Sequence, residues 1–134
     1  MVAYRACSSG SPAAAWALVS QPRRWHEWAP HIRGAWGLGD PEVREGARGA
    51  ARLLGAVPVP ATITDKTPGE SWTWRVGPVW MVHAVRQRRS GCEVVIEIHA
   101  SQSLEAGLAV AYGPLIGLLV KRLAAAAGRA QQLS

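Results

Sequence analysis

Gly113-Pro114-Leu115-Ile116-Gly117-Leu118-Leu119-Val120-Lys121-Arg122-Leu123 is the stretch on which the reading of the fold turns. From Ala106 to Val120 the chain carries no charge, and Lys121, Arg122 and Arg129 then arrive on an alanine-rich tail. The missing N–H of a proline costs nothing in the first turn of a helix, and cations are favoured near a helix C-terminus. Leu115, Leu118, Leu119, Arg122 and Ala126 recur at helical spacing, which predicts a helix from about Pro114 to about Gln131. Its apolar side is wider than one stripe, so the rest of the chain is expected to wrap most of it. A membrane span would need roughly 20 apolar residues, and Gly113-Pro114 interrupts this run. A core helix gripped by a sheet follows.

The sheet lies upstream. Val2–Cys7 reads as a first strand, with Tyr4 opposed to Ala3 and Arg5. Ser11-Pro12 is a helix start, with serine as N-cap and proline at the first helical position. A second short helix restarts at Ser20-Gln21-Pro22, with Trp25, Trp28 and Ile32 at i, i+3 and i+7, and Pro30 ends its regular part near Trp28 or Ala29. Strand punctuation then takes over: Ile32–Leu38, Gly46–Leu54 and Val57–Asp65, the last closed by Pro68-Gly69 at the centre of a type II turn. In Ser71–Val76 the residues Trp72, Trp74 and Val76 alternate with Ser71, Thr73 and Arg75. In Val79–Gln87 the residues Met81, His83 and Val85 oppose Trp80, Val82 and Ala84. After the Arg89-Ser90-Gly91 turn, Cys92–Ala100 sets Val94, Ile96 and Ile98 against Glu93, Val95, Glu97 and His99. A curved antiparallel sheet that must bury one face buries it against the long helix. The expected fold is α+β: about 6–7 strands around a long C-terminal helix, two short helices after the first strand, one domain over residues 1–134.

Composition narrows the function classes. Of the residues, 49% are hydrophobic and 18% charged, which excludes a disordered chain. The net charge of +6 comes almost wholly from arginines spread along the chain rather than clustered, so nucleic acid is not the expected partner. Arg86, Arg88 and Arg89 form the one dense group and read as a solvated hairpin edge. Cys7 and Cys92 give neither a metal spacing nor a disulfide framework, the N-terminus lacks a signal-peptide core, and a cytoplasmic location is expected. Four scattered histidines give no metal set. There is no Gly-rich phosphate loop, so no cofactor is expected. Seven tryptophans without a phenylalanine mean that large ring surfaces either fill the core or line a hole.

Several segments together resemble a known family. They are Ala14-Ala15-Trp16-Ala17-Leu18-Val19 leading into Pro22-Arg23-Arg24-Trp25-His26-Glu27-Trp28-Ala29-Pro30-His31-Ile32, then Gly46-Ala47-Arg48-Gly49, Ile63-Thr64-Asp65, Trp72-Thr73-Trp74-Arg75 and His83-Ala84-Val85. In this order they resemble the helix-grip fold of the START and pollen-allergen (SRPBCC) superfamily, in its polyketide cyclase/dehydrase-like branch. The resemblance covers nearly the whole chain, and Trp25-x-x-Trp28-x-Pro30 is its most specific piece. It implies a deep hydrophobic cavity between sheet and C-terminal helix, in members that range from carriers of lipids, sterols and quinones to enzymes acting on polyketides. The fold alone does not choose among these.

The strand faces nominate the residues. Ile63, Trp72, Trp74, Met81, His83, Val85, Val94, Ile96 and Ile98 are expected to point inward, with the small residues Ala47, Gly49 and Ala51 on the same side. Tyr112 and the Trp28/His31 corner are placed at the mouth. The ligand-binding set expected is Trp28, Ile32, Ala51, Ile63, Trp72, Trp74, Met81, His83, Ile96, Tyr112, Leu115 and Leu119. His83 is the titratable residue assigned to the inward face of a central strand, where it acts either as a general base near neutral pH or as a group that orients a ligand. Asp65 shares the parity of Ile63 and falls at the rim. Three functions stand open: binding of a small hydrophobic molecule (lipid, quinone or polyketide-like), cyclisation or dehydration of a polyketide-like substrate with His83 as base, and an interaction module without ligand. Monomer and homodimer are both compatible with the sequence.

Overall fold

Alternating β-branched and aromatic residues, punctuated by Pro68-Gly69 and Gly91, build seven strands. The computed structural model describes residues 1–29, 32–53 and 57–133, apart from the side chains at 33, 53, 57, 106, 108–112 and 130–133. The strands are β1 (Val2–Ser8), β2 (Ile32–Trp36), β3 (Arg48–Leu53), β4 (Val57–Thr67), β5 (Ser71–Val76), β6 (Val79–Arg88) and β7 (Gly91–His99). They form one sheet in the order β1-β7-β6-β5-β4-β3-β2, antiparallel throughout. Among the described residues two helices join them, α1 (Pro12–Ser20) and α2 (Gln102–Leu133), with a 3-10 helix at Pro22–Glu27. This is the expected α+β arrangement, except that the second short helix is 3-10 rather than α.

Both ends of α1 are satisfied, and the manner of it fixes the core. At the N-terminus the Ser11 hydroxyl accepts from the Ala14 N–H at 3.1 Å, with Pro12 in the first turn. At the C-terminus the last four carbonyls of a helix have no partner within it, and α1 has no basic residue there to help. The Ala17 carbonyl accepts from Gln21 N–H at 3.2 Å and that of Ser20 from Val43 N–H at 2.9 Å. The other two are taken by indoles. Trp28 donates to Leu18 at 2.9 Å, while Trp25 and Trp72 both donate to Val19, at 2.9 and 3.0 Å. Three tryptophans from two elements thus hold one helix end against the sheet.

The C-terminal helix begins a full twelve residues before the expected start at Pro114. Ser101 caps it: its carbonyl accepts from Glu105 N–H at 2.8 Å and its hydroxyl from Leu104 N–H at 3.4 Å. Glu105, in the positive first turn, accepts from Ala100 N–H at 3.1 Å and from the Met1 ammonium at 2.8 Å. These contacts carry the helix through Pro114, which lies on the exposed side, where a lost helical bond costs least. The buried stripe is Ile116, Leu119, Val120, Leu123 and Ala127, whereas Leu115 and Leu118 are exposed. The expected stripe was one position out of phase, and the helix is not wrapped on all sides.

The end of α2 docks on the turn after β1. Ser8 donates its hydroxyl to the Ala124 carbonyl at 2.6 Å, and a Cβ at Gly10 would overlap the Ala127 carbonyl oxygen. Both partners there are backbone, so neither can swing aside. Gly10→Ala is therefore expected to cost about 1–3 kcal/mol, as overpacking does, read as a lower midpoint in urea unfolding. A midpoint equal to that of the native chain would show that this contact is not tight.

Parity failed at one place. The β4–β5 ladder shifts register between Ile63 and Asp65, so Asp65 pairs with outward Thr73 and is exposed. There it accepts from the Thr64 hydroxyl at 2.9 Å. A β-bulge turns the side chain out and removes the one carboxylate that strand parity had put near the cavity.

Candidate functional site

The inner faces of the central strands bring the ring-bearing residues into register. Trp72 pairs with His83 and Trp74 with Met81 across β5–β6, and His83 pairs with Ile96 across β6–β7. Trp25 completes the group from the 3-10 helix. Trp25 stacks on Trp72 with centroids 5.5 Å apart and planes at 11°, and Trp72 stacks on His83 at 3.8 Å and 8°. Trp74 stands edge-on to all three, at 5.5, 5.5 and 5.6 Å. These offset and T-shaped geometries suit the ring quadrupoles. The result is a three-layer stack with a fourth ring across its edges.

Between this stack and α2 lies a cavity of about 70 Å³. Its walls are Trp25, Trp28, Ala29 and Ile32 on one side, Trp72, Trp74, Met81, His83 and Ile96 on the sheet, and Ile116 and Leu119 on α2. Sites for drug-sized ligands run from about 300 Å³ upward, so the rings fill most of the expected hollow and leave a small apolar chamber. Two of the wall residues also carry buried polar atoms. Among the described residues, Trp74 Nε1 and His83 Nδ1 are both buried without a hydrogen-bond partner. An unpartnered buried polar group costs about 1–3 kcal/mol, and both belong to residues of the cavity wall.

His83 is only 4% exposed. Burial pushes its imidazole down to about 3, against a smaller opposing pull from the backbone of Trp72 and Met81. The ring is therefore neutral at physiological pH. It can donate one hydrogen bond and accept one, but it holds a proton weakly and is a poor general base. Among the described residues, no other titratable side chain lines the chamber.

Of the twelve residues expected around a ligand, Trp28, Ile32, Trp72, Trp74, Met81, His83, Ile96 and Leu119 lie on the cavity wall. Ala51 and Ile63 are buried in the sheet but away from the chamber, and Leu115 faces solvent at 41% exposure. The side chain of Tyr112, and all of His31, lie outside the described residues. Trp25, Ala29 and Ile116 were missed. The spacing of Trp25, Trp28 and Ile32 already put Trp25 on the right side, and a stripe drawn without Arg122 would have found Ile116. Ala29 left no signal. On the opposite face of the sheet Arg88 pairs with Glu93 at 2.7 Å and Arg86 with Glu97 at 3.9 Å, while Glu97 also meets His99 at 3.1 Å. Those acids are paired across strands rather than merely solvated.

A sheet folded against a long C-terminal helix, with an aromatic chamber between them, is the helix-grip arrangement. The chain belongs to the family described as polyketide cyclase/dehydrase and lipid transport, whose model matches residues 5–132. Solved structures share the fold at low identity. A protein from Thermobifida fusca is 18% identical with a TM-score of 0.71, over 96% of this chain and 95% of that one. The protein SSP2350 from Staphylococcus saprophyticus is 6% identical with a TM-score of 0.76, over 92% and 87%. DynU16, described as a putative protein in the dynemicin biosynthetic locus, is 15% identical with a TM-score of 0.67, over 91% of this chain and 46% of its own. No curated protein matches the sequence. Among the described residues no helix is long and apolar enough to cross a membrane, and no cluster of His, Cys, Asp or Glu is placed to hold a metal.

Proposed function

We propose that this protein binds a small hydrophobic molecule in the chamber between the sheet and α2. The observation that carries the reading is the pair of buried polar atoms, Trp74 Nε1 and His83 Nδ1, that belong to residues of the wall and have no hydrogen-bond partner among the described residues. A ligand with an oxygen on an apolar body would satisfy one or both while its body replaces water against the rings. At about 70 Å³ the chamber takes only part of such a body, so binding requires the wall to widen. In this reading Trp25, Trp28, Ile32, Met81, Ile96, Ile116 and Leu119 supply apolar contact, and His83 orients the ligand through a hydrogen bond. The same proposal takes the chain as one cytoplasmic domain over residues 1–134, without a resident cofactor.

Catalysis on a polyketide-like substrate is the second reading, supported by the description of the family and by His83 as the titratable group on the wall. The low proton affinity of His83 and the outward turn of Asp65 weigh against it. Native mass spectrometry with organic extraction tests both, together with melting in the presence of lipids, quinones and aromatic polyketides. A ligand at a hundredfold over its dissociation constant is expected to add about 2.7 kcal/mol of stability. His83→Leu is expected to weaken an oxygenated ligand about fivefold to tenfold, the worth of one hydrogen bond, and to leave a purely apolar one unchanged. A clean apo mass with no melting shift across the panel would sink the proposal and favour an interaction module without ligand. A ligand turned over by the native chain but not by His83→Leu would favour the enzyme.

A further inference from the structure

We infer that the outer face of α2 is a docking surface for an anionic lipid bilayer. Pro114, Leu115, Leu118, Lys121, Arg122 and Arg129 are all exposed. At 3.6 residues per turn they fall within about a third of the circumference of the helix, so they form one ridge, apolar towards Pro114 and basic towards Arg129. Leu115 and Leu118 are 41% and 52% exposed, among the few large apolar side chains in water.

The cations of this ridge differ from those of the β6–β7 hairpin that are paired across strands. Arg88 and Arg86 on the β6–β7 hairpin are paired with Glu93 and Glu97. Lys121, Arg122 and Arg129 make no ion pair or hydrogen bond among the described residues. After Glu105 the chain contains no acidic residue at all. Lys121 and Arg129 also flank a shallow groove of about 460 Å³ against Ser9 on the turn after β1, open enough to take a phosphate-bearing headgroup.

Free cations beside exposed leucines call for a partner that is anionic and apolar within a few ångströms. A bilayer surface offers both: phosphates and carboxylates for Lys121, Arg122 and Arg129, and the acyl boundary just below for Leu115 and Leu118. A second copy meeting this face symmetrically would set cation against cation. The cavity residues Ile116 and Leu119 lie on the same turns of α2, but the inference does not depend on what the cavity holds.

The test is co-sedimentation of the full chain with vesicles of phosphatidylcholine alone or with about 30% phosphatidylserine. Binding is expected only to the anionic vesicles, falling steeply between about 50 and 500 mM salt. Lys121→Glu/Arg122→Glu and Leu115→Ser/Leu118→Ser are each expected to weaken it at least about tenfold. Because all four side chains are exposed, both variants should melt like the native chain, which separates lost docking from lost folding. Arg86→Gln/Arg89→Gln on the hairpin should bind normally. No binding, equal binding to phosphatidylcholine, or a loss in the hairpin variant equal to that of the helix variants would overturn the inference. So would a dimer in sedimentation velocity that Leu115→Ser/Leu118→Ser abolishes, since the face would then be covered by a second copy.

Discussion

Trp72→Ala is expected to lower folding stability by about 3–5 kcal/mol, the range for emptying a large aromatic site in a core. Trp72 is 1% exposed and lies between Trp25 and His83 in the stack. Its loss removes ring contact on both faces and one of the two donors to the Val19 carbonyl. Trp72→Phe separates these effects. It keeps most of the packing and forfeits the indole N–H, and because Trp25 still serves the same carbonyl, the cost specific to the hydrogen bond should stay near 1 kcal/mol. Urea unfolding of the two variants reads the difference, provided the slopes match that of the native chain. An alanine variant within about 1 kcal/mol of the native chain would mean that the stack does not hold the core.

Lowering the pH should expose the second large effect. His83 binds its proton at about 3 in the folded chain, against an ordinary value of 6.5. The folded value is depressed for a base, so between those limits the unfolded chain carries the extra proton. Stability contributed by the neutral ring is fully present above pH 6.5. It falls with pH at about 1.4 kcal/mol per unit until the folded ring protonates too. From pH 7.5 to 5 that amounts to about 2 kcal/mol. His83→Leu removes this dependence, so its stability should decline by about 2 kcal/mol less over the same interval. Parallel pH profiles for the two proteins would show that the ring is hydrated in the folded state.

The strands were readable because their signals are local. The alternation of Trp72, Trp74 and Val76, closed by Pro68-Gly69 on one side and Gly77 on the other, delimits β5 at Ser71–Val76 as observed. The helix grip follows from a charge-free run placed after the sheet. What escaped was set by long-range contact. Pro114 has a strong local preference for a first turn, yet the Ser101 cap and the Glu105 ion pair with Met1 carry the helix past it. The bulge before Asp65 shifts one strand's parity without marking its composition. Within the site, parity recovered the sheet wall, from Trp72 to Ile96. Which face of α2 closes the chamber depended on a phase that its plentiful leucines and alanines leave open. The neutrality of His83 is a property of burial, and no arrangement of letters displays it.

The three indoles that cap α1 have a mechanical consequence for the chamber they help to line. Trp25, Trp28 and Trp72 each donate to a carbonyl of α1, so swinging any of them aside would strand its own buried indole N–H. That half of the chamber is a rigid jaw. Trp74, whose N–H has no partner among the described residues, together with Met81 and the Ile116–Leu119 turn of α2, has no such tether and forms a more compliant jaw. In the binding proposed above, widening on that side, where α2 seats on the sheet, would break none of these hydrogen bonds.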